Sequence, residues 1–88
     1  MHAVVISVAI NDYEPAKAAL LEQVVPQVKQ APGFVAGYWV SLRREQGRGI
    51  MAFDSEEAAE NAANALGGMD PVGVTIESVE VGEVDASA

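Results

Sequence analysis

The sequence contains no cysteine and one histidine, His2. The first absence excludes disulfide staples, thiol nucleophiles and Cys-ligated zinc or iron–sulfur sites. The second leaves His2 without the partner that a histidine metal site needs, and a surface role suits it better. Basic residues are scarce as well, 5 against 13 acidic ones, for a formal net charge of −8. Such a chain repels phosphate backbones and anionic lipid surfaces, so neither nucleic acid nor a membrane is an expected partner. No run approaches the roughly 20 apolar residues of a membrane-spanning helix. No basic segment precedes the apolar N-terminal stretch, as a secretory signal requires, and a cytoplasmic location is expected. Gly-rich phosphate loops and a Gly-x-Ser-x-Gly elbow are also missing.

What the 88 residues do contain is apolar surface, at 50% of the composition. That favours a folded chain over disorder. The length suits one domain over 1–88, with about 3–84 as ordered core and 85–88 as a tail. A chain this short buries only roughly two-thirds of its unfolded surface, so packing and oligomerisation must supply the rest of its stability.

Residues 3–10 read as a strand, with Val4, Ile6, Val8 and Ile10 on one side and Ala3, Val5, Ser7 and Ala9 on the other. Asp12 is the expected N-cap of a helix with Glu14 and Pro15 in its first turn. Ala16, Leu20, Val24 and Val28 mark its apolar stripe at the helical period. Pro26 removes the bond to the Glu22 carbonyl and predicts a kink. Ala31-Pro32-Gly33 ends the helix, and Phe34–Leu42 follows as a second strand.

The polar segment 43–49 reads as a hairpin connection into a short strand, Ile50–Phe53. Ser55 caps a second, alanine-rich helix reaching Leu66, and Gly67-Gly68 stops it. The last strand begins near Val74. Its apolar phase shifts from Val74 and Ile76 to Val79 and Val81, which predicts a bulge near Glu77-Ser78. Gly82 onward reads as an acidic tail.

The order strand, helix, strand, strand, helix, strand predicts an α+β, ferredoxin-like βαββαβ domain. Its four-stranded antiparallel sheet carries both helices on one face. The strands are apolar on both sides, yet two helices roof only one. A second copy of the chain is the expected cover for the other, giving a homodimer through the sheet face.

Gln23-Val24-Val25-Pro26, Ala31-Pro32-Gly33-Phe34 and Phe53-Asp54-Ser55-Glu56-Glu57-Ala58, set in that element order, resemble the dimeric α/β-barrel family that includes antibiotic-biosynthesis monooxygenase-like proteins. The resemblance implies sheet-to-sheet homodimers with a cavity between each sheet and its helices. It also implies a cofactor-independent oxygenase-like activity on an aromatic substrate, with Asn11 near the ligand. Where such members often place tryptophan this chain has Phe53, and where they place a helix histidine it has Ala62. Haem ligation by that route is therefore not expected, and no cofactor or metal is assigned.

Candidate pocket residues are Asn11, Tyr13, Tyr38, Trp39, Met51 and Phe53. Tyr38 and Trp39 are neighbours on a strand and must point to opposite faces, without the sequence deciding which faces the pocket. Asn11 suits either a ligand contact or local backbone bonding. Arg43, Arg44 and Arg48 suit a carboxylate or phosphate grip, a partner's acidic tail, or a solvated hairpin. Two readings follow: a small-molecule-binding protein for an apolar or aromatic ligand, catalytic without a cofactor, or a non-catalytic carrier or dimerisation module with a filled pocket.

Overall fold

A computed structural model describes residues 1–88. The strands are β1 (His2–Ile10), β2 (Phe34–Leu42), β3 (Gln46–Phe53) and β4 (Val74–Glu83). They pair in the order β2-β3-β1-β4, every neighbour antiparallel. This is the expected ferredoxin-like α+β sheet. The last strand continues through Gly82 and Glu83, past the point where the acidic tail is expected to begin.

The first helical stretch has three parts: α1 (Tyr13–Ala19), a π-helical segment (Leu20–Val24) and α2 (Val25–Lys29). The Val25 N–H reaches five residues back to the Leu20 carbonyl. Pro26 follows directly and has no N–H to offer Glu22, so the irregularity predicted at the proline takes the form of a widened turn just before it. Asp12 occupies the N-cap position but makes no side-chain cap bond. The Asn11 and Asp12 N–H groups instead donate to the Gly73 carbonyl, at 2.7 and 3.1 Å, and tie the helix entry to the start of β4.

The second helix, α3 (Glu56–Gly67), starts as expected, with the Ser55 hydroxyl accepting from the Ala58 N–H at 3.1 Å. Its alanine face lets it lie close on the sheet, and Ala59 is fully enclosed. Val4, Met51 and Phe53 are the largest side chains closed off completely. Each contributes about 1.5–3 kcal/mol of burial.

The hairpin between β2 and β3 differs from the sequence expectation. The connection is not 43–49 but a tight turn at Arg43-Arg44, closed by the Glu45 N–H donating to the Leu42 carbonyl at 3.1 Å. Both arginines sit in the left-handed region, with φ of 55° and 59°, the signature of a type I′ turn. Gly47 and Gly49 lie inside β3, where Val8, Ile6 and Trp39 cover them. A Cβ on Gly49 would meet Ile6 Cγ2 at 2.7 Å. These glycines mark close approach between side chains and backbone, which resembles loop composition when read along the chain.

The bulge expected in β4 is present. Ser7 faces Ser78 while Val8 faces Ile76, leaving Glu77 as the extra residue. A second irregularity separates Phe34 and Ala36 in β2 and leaves Val35 unpaired. It reverses the phase of that strand.

Both helices lie on one face. The other face is open, and its residues form cross-strand rows. In one, Tyr38 stands opposite Ile50, Ile50 opposite Val5, and Val5 opposite Glu80. In the next, Val40 stands opposite Arg48 and Arg48 opposite Ser7. Tyr38 is 72% exposed and Ile50 51%.

Candidate functional site

While α3 rests on the sheet, α1 and the π-helical segment stand off it, and the gap is a cavity of about 280 Å3. Ile6, Val8, Ile10, Met51 and Trp39 form the sheet side. Tyr13, Lys17, Leu20, Leu21 and Val24 form the helix side, so the widened turn lines the space directly. Leu66, Met69 and Pro71 close one end. Of 21 lining residues 15 are hydrophobic, and none is an aspartate or glutamate.

Trp39 is the floor. Its indole covers two glycines, since a Cβ on Gly37 would meet Trp39 Cη2 at 2.9 Å and one on Gly49 would meet Cδ1 at 3.0 Å. Glycine on both sides is what allows a tryptophan to lie along the sheet there. The unbroken register from the hairpin turn, with Trp39 opposite Gly49, sets this orientation, and the irregularity at Val35 brings Phe34 onto the same face. Without that irregularity, Phe34 would join Tyr38 on the other.

Of the residues expected at the pocket, Tyr13, Trp39 and Met51 are brought together around the cavity. Tyr38, Asn11 and Phe53 are not. Tyr38 projects from the open face. The Asn11 side-chain amide donates to Thr75 Oγ1 at 3.0 Å, outside the cavity, where it links the end of β1 to β4. Phe53 is buried edge-on against Phe34, ring centroids 5.8 Å apart and planes at 72°, as part of the core. It belongs to the core cluster with Val4, Met51 and Ala59 and is not part of the cavity wall.

Lys17 and Ser41 are lining residues that the sequence reading did not single out. The signal for Lys17 was its spacing: it follows Tyr13 by four residues, and such pairs share a helix face. The Arg44 guanidinium carbon lies 4.5 Å from the centroid of the Tyr13 ring, a cation–π contact joining the hairpin tip to α1.

The remaining polar groups do not form a metal centre, since no three His, Asp or Glu side chains cluster. His2 Nε2 lies 3.5 Å from Glu56 Oε2 near the start of α3, away from the cavity. No helix is long and apolar enough to cross a membrane. Neither a known family model nor any curated protein matches the sequence. The chemistry is therefore read from these side chains.

Proposed function

We propose that this chain is a small-molecule-binding protein of the dimeric α/β-barrel type, holding one apolar or aromatic ligand beneath α1. The observation that carries the reading is the cavity. Its volume of about 280 Å3 equals roughly nine water volumes of about 30 Å3, or an organic body of about ten non-hydrogen atoms. An apolar wall with a few convergent polar groups is the usual make-up of a ligand site. An open space of this size argues against a module whose pocket is filled by its own side chains.

Binding without catalysis is favoured over oxygenase-like chemistry. The asparagine that would orient a substrate is engaged with Thr75. The polar groups left at the wall, Tyr13, Lys17, Ser41 and Arg48, are enough to position a ligand.

The protein acts as a homodimer through the open sheet face. Four strands of 8 to 10 residues, about 4.8 Å apart and rising about 3.3 Å per residue, present roughly 550 Å2. Two such faces bury roughly 1,100 Å2, near the lower bound for a stable specific interface. The apolar row of Tyr38, Ile50 and Val5 is the natural centre of that contact.

The ligand reading is tested by thermal unfolding with 2-naphthamide, a neutral two-ring probe. A ligand at ten times its Kd adds about 1.4 kcal/mol, which raises Tm by roughly 6–11 °C in a domain of this size. A midpoint that stays unchanged up to the solubility limit removes the reading.

A further inference from the structure

The chain has only five basic side chains, and their placement is uneven. Lys17 and Arg48 line the cavity, but the Arg48 guanidinium is already engaged, donating to the Gly47 carbonyl at 2.9 Å and to Gln46 Oε1 at 3.2 Å. Arg44 stacks on Tyr13, another lining residue, and Arg43 adjoins it at the hairpin tip. Tyr13 and Lys17 lie four residues apart on α1, so both side chains emerge on the same helix face. The 13 carboxylates are elsewhere as far as the cavity is concerned, since none lines it.

The other three of these cations are uncommitted. Neither Lys17 nor Arg43 nor Arg44 has a carboxylate within 4.0 Å, the one ion pair being His2 with Glu56. None of the three donates a side-chain hydrogen bond, so the edge N–H groups of Arg44 stay free beside the ring it covers. The turn that presents them is strained, because its two left-handed positions usually take Asn and Gly. A neutral ligand gives no reason for two arginines there. In a protein of net charge −8, a local cluster of unpaired cations beside an apolar chamber is selective for an opposite charge on the ligand.

We propose that the cavity takes an amphipathic anion, with its apolar body against Trp39 and its carboxylate at the entrance between Lys17 and Arg44, beside the Tyr13 hydroxyl. This deepens the ligand-binding reading and rests on it. Charge-assisted hydrogen bonds are about twice as strong as neutral ones, so the anion is preferred over its uncharged isostere.

The test compares 2-naphthoate with 2-naphthamide by calorimetry near neutral pH. The two share shape and differ in charge. At low salt the naphthoate is expected to bind about tenfold more tightly. That preference falls towards unity in about 1 M salt, where the screening length is about 3 Å. It is also lost in the double variant Lys17→Gln/Arg44→Gln, while naphthamide binds that variant as it binds the wild type, which reports an intact cavity. Equal affinities in the wild type, or a preference that survives both salt and substitution, overturn the anion assignment and leave the ligand site standing. If neither compound binds, both readings fall together.

Discussion

Ile50→Glu tests the open face at its centre. Ile50 lies on β3, flanked by Tyr38 and Val5, and is 51% exposed in the single chain. Full burial of an isoleucine is worth about 1.5–3 kcal/mol, so covering its exposed half contributes about 1 kcal/mol. A two-fold interface uses each residue twice, which makes about 2 kcal/mol per dimer. Loss of that alone weakens association roughly 30-fold. Each introduced carboxylate would also be desolvated without a partner, at an effective cost of several kcal/mol. The wild type should therefore sediment as a dimer at micromolar concentration and Ile50→Glu as a folded monomer. Gln27→Glu, on the exposed side of α2, adds the same charge away from the sheet and should leave the dimer intact. A wild type that is monomeric at these concentrations, or an Ile50→Glu variant that associates like the wild type, refutes the argument.

Further outcomes follow from packing. Gly49→Ala places a Cβ 2.7 Å from Ile6 Cγ2 and 3.0 Å from Trp39 Cδ1, and should destabilise by about 1–3 kcal/mol in urea titration. Ser55→Ala removes the α3 cap bond and should cost about 1 kcal/mol by the same assay. Met51→Ala deletes an enclosed side chain at the cavity wall; a loss of about 2–5 kcal/mol is expected, together with acceptance of a bulkier ligand.

The fold was legible because its signals are local and repeated. The phase change between Ile76 and Val79 announced the bulge at Glu77, and Ser55 announced α3. Legibility failed where meaning depends on a neighbouring strand. Gly47 and Gly49 resembled loop residues, since their role is to admit Ile6, Val8 and Trp39 from across the sheet. The pocket-facing aromatic was hidden for a related reason. The unpaired Val35 reverses the phase of β2, and nothing in an apolar run such as Phe34-Val35-Ala36 marks the extra residue. Asn11 carried two plausible roles until its partner, Thr75, was in place 64 residues away. Lys17 was one cation on a solvated helix until the cavity beneath α1 gave it a setting.

The central claim is that the space over Trp39 holds a ligand. Trp39 is the only tryptophan, so its indole N–H gives one resolved resonance that reports on the cavity floor. Titration of 2-naphthamide should move that resonance saturably in the wild type. In Ser41→Phe, where a ring projects into the cavity from the exposed edge of β2, the ligand-induced shift should disappear while resonances remote from the cavity keep their wild-type positions. No saturable shift in the wild type, or the same shift in both proteins, contradicts the account.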